Sequence, residues 1–358
     1  MKADLAKDLV HGLALEADVV DRILDDLEFM ARYKYDQYEM FAPGTRFLEH
    51  LYAWLKQFDP EDRLLALRYV RERLVFISQR EMQELAKFLY YDCIVPEILR
   101  RIIHEQALTP PGWLEAYRTH FKLYHRKCLF VGLSDGSKID FFRRHHIDIS
   151  QEQVIPYYRT PSTEYIDRLR EDLRDPAATF WGVFLVDDFT GSGYTLGRRT
   201  GAAVKGALSR VYDCHPDLID AAKAVYVCHY VATHSAREHV KQVCQEMAPY
   251  SSKIGCLTAL VLPPALSACP SNAAASELER AMQSLCERYY DDTFEDTNTA
   301  KAGGIRYGFG GQGLPLVMYS NAPNNSAFPL WYDSRGNPGS KRFRALFRRI
   351  PRHRKETK

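Results

Sequence analysis

The chain has 358 residues, 46% hydrophobic and 26% charged, with a formal net charge of +2. That length exceeds what one small core usually holds, and the composition is that of an ordinary globular protein. No apolar run approaches the roughly 18 residues of a membrane span. The opening stretch, MKADLAKDLVHGLALEAD, carries early acids and no small-residue cleavage site, so it does not read as a secretory signal and a cytoplasmic location is expected.

Eight cysteines (93, 128, 214, 228, 244, 256, 269 and 286) are scattered without a C-x-x-C pair, and twelve histidines form no H-E-x-x-H pattern. Zinc sites usually announce themselves by such close pairs, so that signal is absent and the cysteines read as reduced thiols, most of them in the core.

Residues 1–110 read as a helical N-terminal domain. Helical spacing runs through Val19, Ile23, Leu24, Leu27 and Met30, then through Phe47, Leu48, Leu51, Trp54 and Leu55. Asp59-Pro60-Glu61-Asp62 has the form of an N-cap with proline at the first helical position, and Ser78-Gln-Arg-Glu81 that of a capping box. No strand signal interrupts this region. Thr109-Pro110-Pro111-Gly112 marks a junction. Residues 111–338 then alternate short apolar runs with helical ones, the pattern of an α/β domain around a mainly parallel sheet. Buried strands are expected at Cys128–Leu133, Phe180–Val186, Val225–Val231, Leu257–Leu262 and Leu314–Tyr319, a helix after Thr160-Pro161, and a helix capped by Ser235-Ala-Arg-Glu238.

The chemistry concentrates in Val183–Leu196, VFLVDDFTGSGYTL. An apolar strand ends in two acids, Asp187 and Asp188. A loop of small residues, Thr190 to Thr195, follows, and an amphipathic helix is expected to start near Leu196. In open α/β sheets ligands bind where strands end and helices begin. Glycines let backbone N–H groups approach a phosphate, a helix N-terminus adds partial positive charge, and Ser192 and Thr195 add hydroxyl donors. The acids are placed to accept from a sugar diol or to hold magnesium through water.

This segment resembles the PRPP-binding motif of type I phosphoribosyltransferases: an apolar strand, two acids, three residues, then Thr-Gly-x-Thr. Here the spacer is Phe189-Thr190-Gly191 and the loop is Ser192-Gly193-Tyr194-Thr195. Serine replaces threonine and keeps the hydroxyl, whereas Tyr194 is bulky where the motif is often small and is expected to narrow the loop. The resemblance implies that Asp187 and Asp188 contact the ribose hydroxyls and that Ser192–Thr195 bind the 5′-phosphate. A second strand–loop–helix, CLFVGLSDGSKIDFFRR from Cys128 to Arg144, lies where this family places its pyrophosphate loop. Ser134, Gly136 and Ser137 would present donors, Lys138 would neutralise a diphosphate, and Asp135 would help hold magnesium. A third segment, Tyr307–Trp331, is rich in glycine and carries Asn321, Asn324 and Asn325. Asparagine joins donor and acceptor, which suits a base edge, so the segment is a candidate for the hood over the nucleobase.

Residues 339–358 form a basic tail. Lys341–Lys358 holds nine Lys or Arg and one acid, Glu356, leaving the rest of the chain near about −6. Arg342, Arg344, Arg348, Arg349, Arg352 and Arg354 suit RNA or DNA phosphates, while Phe343, Leu346 and Phe347 interleave at near-helical spacing, the pattern of an amphipathic helix docked on the body.

Taken together, the helical N-terminus, the GLSDGSKIDFFRR loop, the VDDFTGSGYTL cradle and the NAPNNSAFPLW segment resemble phosphoribosyltransferase-like proteins of bacterial conflict systems, including those encoded beside retron reverse transcriptases. The resemblance implies an antiphage effector or toxin restrained by a reverse transcriptase with its RNA–DNA product, or by another sensor. Its ligand would be PRPP or a related nucleotide, its cofactor Mg2+, and its reaction transfer or cleavage at ribose C1. Catalysis would come from positioning and charge stabilisation, since no general acid or base stands out; His145 and His146 read first as a solvated helix end. The alternative is a non-catalytic nucleotide sensor, or a subunit of a nucleoprotein complex, that uses the same fold for binding.

Overall fold

The structure, a computed structural model, describes residues 17–109, 112–160, 163–176, 178–201, 203–247, 251–295, 304–334 and 341–350. The chain divides into two compact units, Met1–Glu81 with Pro263–Lys358, and Met82–Leu262.

The second unit is built on a five-stranded, wholly parallel sheet. Its strands are β1 (Cys128–Gly132), β2 (Val154–Ile155), β3 (Gly182–Thr190), β4 (Ala224–Thr233) and β5 (Ile254–Leu262), in the order β2-β1-β3-β4-β5. Both faces of β1, β3 and β4 are covered, which is why these strands read as continuous apolar runs rather than alternating ones, whereas β5, at the sheet edge, is half-buried over residues 254–261 and not the buried strand expected. One face carries Leu129, Val131, Val183, Leu185, Val225 and Val227, and buries them with Leu169, Leu208, Val211, Val240 and Val243 from helices Thr163–Leu173, Ala207–Cys214 and His234–Glu246. The other carries Phe130, Phe184 and Tyr226, whose rings stack across β1, β3 and β4 at 5.4 and 5.1 Å. Helix Val95–Glu105 serves that second face: Arg101 Nε donates to Tyr226 Oη at 2.6 Å, and the Tyr226 hydroxyl also bonds Glu97.

This last contact explains why the observed division differs from the linear one drawn at residue 110. Helices early in the chain form half of the sheet's cover, so they belong with the sheet. Pro110 and Pro111 lie outside the described residues, and Thr109 and Gly112 on either side fall within one unit.

The strand expected at Leu314–Tyr319 exists as Leu316–Met318, but it is not part of the parallel sheet. It pairs in parallel with Val75–Ile77 inside the first unit, so a strand does interrupt the N-terminal helical region. The fifth strand of the sheet is instead β2. Two residues are too few to carry a periodic signal. β2 is fixed by Gln153, just before it, whose amide donates to His125 O and Cys128 O at 2.8 and 3.0 Å.

In the first unit, helices Ala17–Tyr33, Phe47–Leu55, Pro60–Arg73 and Glu277–Tyr289 enclose Leu24, Leu27, Phe47, Leu51, Trp54, Leu67 and Leu285. The capping box at Ser78 forms as expected: Ser78 N–H donates to Glu81 Oε2 at 2.8 Å, and Glu81 N–H to Ser78 Oγ at 3.2 Å. No helix among the described residues is long and apolar enough to cross a membrane.

Candidate functional site

Strand β3 runs four residues further than its apolar stretch implies, so Asp187 and Asp188 lie within the strand rather than beyond it. Asp187 faces His229 in register on β4, and Phe189 and Thr190 continue the ladder against Val231 and Ala232. Successive strand residues point to opposite faces. Asp187 therefore joins the face of Val183 and Leu185, and Asp188 the face of Phe184 and Val186. The two acids are not equivalent. Asp188 is buried and its Oδ1 accepts the Phe189 N–H at 2.8 Å. Asp187 is half-buried, and its Oδ1 accepts from Ser134 Oγ at 2.6 Å and from Asp188 N–H at 3.1 Å.

The Ser134 contact brings the two expected loops together. The loop after β1 crosses to the end of β3, where Leu133 N–H donates to Val186 O at 2.9 Å. Ser134 also caps its own turn, accepting from Gly136 N–H at 3.1 Å. Ser137 is buried, and Lys138 takes a left-handed conformation, φ 52°. The Asp135 side chain lies outside the described residues. Gly132 is required where β1 ends: a Cβ there would meet Pro156 O at 2.3 Å.

After β3 the chain turns through Gly191–Thr195. The backbone N–H groups of Ser192, Gly193, Tyr194 and Thr195 donate to no acceptor among the described residues. Successive unspent amides in a turn form a concave donor surface that fits an anion. The loop is braced from behind. Thr233, at the end of β4, donates its hydroxyl to Gly191 O at 2.7 Å and caps helix His234–Glu246 by accepting from Ala236 N–H at 3.0 Å. Thr233, not Ser235, is that helix's N-cap. His239 Nε2 donates to Gly197 O at 2.8 Å, and its ring fills the space against Gly193, where a Cβ would meet His239 Cδ2 at 2.7 Å. Gly193 has φ +76°, a conformation glycine adopts without cost. Tyr194 does not narrow the loop: its ring leans edge-on against His239 at 4.9 Å and stays 48% exposed.

No helix begins at Leu196. A two-stranded antiparallel hairpin, Arg198–Thr200 with Ala203–Lys205, intervenes, and helix Ala207–Cys214 starts beyond it. Its first amides are already used, Ala207 N–H on Thr195 O and Leu208 N–H on Leu196 O, each at 3.0 Å. The donors here therefore come from the loop, and the helix N-terminus closes the loop instead of facing a ligand.

With this geometry in place, a family model described as PRTase-CE matches residues 51–349. The chain belongs to the PRTase-CE family. It is thus phosphoribosyltransferase-like, and the mainly parallel α/β sheet agrees with that fold. Comparison with curated proteins and with solved structures gave no match.

The remaining candidates of the family reading have structural work of their own. In the first unit, Asn321 exchanges two hydrogen bonds with the Ile350 backbone at 2.9 and 3.1 Å, and buried Asn325 donates to Phe309 O at 2.9 Å. Asn324 is half-buried and its carbonyl accepts the Phe309 N–H at 2.7 Å. The basic segment is not helical over Lys341–Ile350. It is docked through buried Phe343, Leu346 and Phe347. Arg344 N–H donates to Gln57 Oε1 at 2.9 Å and Arg349 Nη1 to Ala322 O at 2.7 Å, while Arg342 and Arg348 are exposed. Arg352 and Arg354 lie outside the described residues. His146 is not at a solvated helix end: it is buried against Tyr90 and Phe142, and burial holds its imidazole neutral, down at about 4; His145 bonds Phe141 O at 2.9 Å.

Three residues were missed in the sequence: His229, Thr233 and His239. Burial likewise holds His229 neutral, at about 4, in the register position beside Asp187. A strand-end threonine followed by a helical stretch was the available signal for Thr233. No group of three or more acids, histidines or cysteines placed to hold a metal occurs among the described residues.

Proposed function

We propose that the second unit binds PRPP or a related nucleotide and transfers or cleaves at ribose C1. The observation that carries this reading is the set of four unspent amides, Ser192 to Thr195, beside the Asp187 carboxylate at the C-terminal end of a parallel sheet. The loop amides take the 5′-phosphate, helped by the hydroxyls of Ser192 and Thr195. Asp187 takes the ribose hydroxyls. Asp188, on the opposite face and bonded to the Phe189 amide, holds the strand end in shape and adds negative charge.

In the reaction the C1–O bond to diphosphate breaks, its electron pair leaves on the pyrophosphate oxygen, and a nucleophile captures the cationic C1. Carboxylates on the ribose favour that cation, and Lys138 with the Ser134–Ser137 turn receives the departing charge. Carboxylate oxygens at this strand end suit Mg2+, which keeps several waters and is held by few carboxylates together with substrate phosphates. Asp187 or Asp188 would hold it through water, with Asp135, and it would neutralise the diphosphate. The setting we assign is antiphage defence, in complex with a reverse transcriptase and its RNA–DNA product. Its support is the joint presence of the cradle, the SDGSK loop and the late asparagine segment.

The test is calorimetric titration of PRPP with magnesium into wild type and into Asp187→Asn/Asp188→Asn, followed by an assay of pyrophosphate release. Binding lost in a folded double variant is the expected result. No binding by wild type, or unchanged binding by the double variant, overturns the reading.

A further inference from the structure

The hairpin that displaces the expected helix has a charge pattern of its own. Between Asp188 and Asp213 the chain carries Arg198, Arg199, Lys205 and Arg210 and no acid. Arg198 and Lys205 are direct partners across the antiparallel pair, so their side chains share a face. Both are exposed, and neither they, Arg199 nor Arg210 joins an ion pair among the described residues. Like charges set opposite each other destabilise a hairpin unless an anion lies between them.

The hairpin is rooted on the phosphate loop. Gly197 and Gly206 pinch together at its base, where a Cβ on Gly206 would meet Leu196 O at 2.2 Å. Arg198 is three residues beyond Thr195, so chain geometry alone keeps it within about 11 Å of the loop. The loop after β2 adds Arg159, which donates to Tyr158 Oη at 3.1 Å, and Tyr157, which feels the charge of Arg210. Tyr194, in the loop itself, stands exposed.

We infer that this hairpin is a docking surface for single-stranded nucleic acid. Its cations hold the sugar–phosphate backbone, and exposed Tyr194 offers a stacking face to a base, the combination that single-strand binding requires. An acidic peptide would use the cations but not the rings. The inference rests on the reading above only for direction: the strand runs over the hairpin toward the ribose-phosphate loop, which makes a nucleotide of that strand the group acted on.

The experiment is fluorescence anisotropy of a labelled 20-nucleotide single strand, as DNA and as RNA, with the full chain over a salt series. The variants are Arg198→Ala/Arg199→Ala/Lys205→Ala and, separately, Lys205→Glu. We expect at least about tenfold weaker binding in the triple variant near 0.1 M salt, and a salt slope lower by about two, the loss of three phosphate contacts. Lys205→Glu pairs with Arg198, so it raises thermal stability while weakening binding, a trade-off that a structural role does not produce. No binding by wild type, an unchanged slope in the triple variant, or poly-glutamate of equal length binding as tightly as the oligonucleotide overturns the inference. PRPP titration of the same preparations separates the two readings: hairpin-dependent oligonucleotide binding without PRPP binding leaves the hairpin standing and removes the ribose-phosphate site.

Discussion

The loop Ser192–Thr195 and the segment Lys341–Ile350 both read as anion sites in the sequence, the first from glycines and hydroxyls, the second from arginines. In the folded chain they differ in what they have left to give. The loop keeps four amides unspent among the described residues, because Thr233 and His239 brace it from behind without touching its donors. The segment, with far more formal charge, is committed to its own unit. Phe347 is fully buried with rings of Tyr38, Phe47, Phe41 and Phe76 within 5.2 to 5.7 Å. Arg349 is bonded to a carbonyl, and the Arg344 N–H is spent on Gln57. Charge counts what a segment carries; unpaired donors count what it offers.

The largest effect expected from this contrast is at Phe347. Phe347→Ala should cost about 3–5 kcal/mol, the usual cost of emptying an aromatic site in a core. Urea unfolding measures it, and a loss under about 1 kcal/mol would return the segment to the status of a free arm. Next is Asp187→Asn, which should weaken PRPP binding about a hundredfold, near 2.7 kcal/mol, by removing a charge-assisted acceptor. Its unfolding midpoint should move little, because the residue is half-buried. Asp188→Asn should shift the midpoint more than Asp187→Asn does, since Asp188 is buried and bonded to the strand backbone.

A pH series sharpens the description of the sheet beneath the loop. Burial holds His125, His146 and His229 neutral, each lowered to about 4. In the unfolded chain histidine titrates near 6.5. Between those values the unfolded state binds protons that the native state refuses, so stability is full above about 6.5 and falls as pH drops toward 4. Each histidine should cost about 2 kcal/mol by pH 5. His229→Gln should flatten part of that slope; an unchanged slope would mean the ring is solvated. Gly193→Ala should cost about tenfold in PRPP affinity, because its φ of +76° and the His239 ring leave a side chain no place. The smallest effect belongs to Arg348→Ala, within about 0.5 kcal/mol, as befits an exposed side chain.

Much of the parallel sheet was legible because strands buried on both faces leave uninterrupted apolar runs, as CLFV and GVFLV do. The two acids and the loop were legible because their spacing is set by local backbone. The hairpin was not. Its strands are three residues long, mostly exposed, and bear no alternation, so nothing in them displaced the helix expected near Leu196. The grouping of helix Val95–Glu105 with the sheet was equally hidden, since Glu97 and Arg101 meet Tyr226 across more than 120 positions of chain. The docking of the last segment was legible in Phe343, Leu346 and Phe347, which are buried, but their near-helical spacing suggested a helix that does not form.

The pinch between Gly197 and Gly206 has a consequence for how the molecule can change. Because Thr195 O and Leu196 O already receive the amides of the helix at Ala207 and Leu208, the two ends of the hairpin are joined before the hairpin begins. Residues 198–205 are therefore an interchangeable tip. Lengthening, recharging or excising them alters what approaches the loop while leaving the loop's own shape in place.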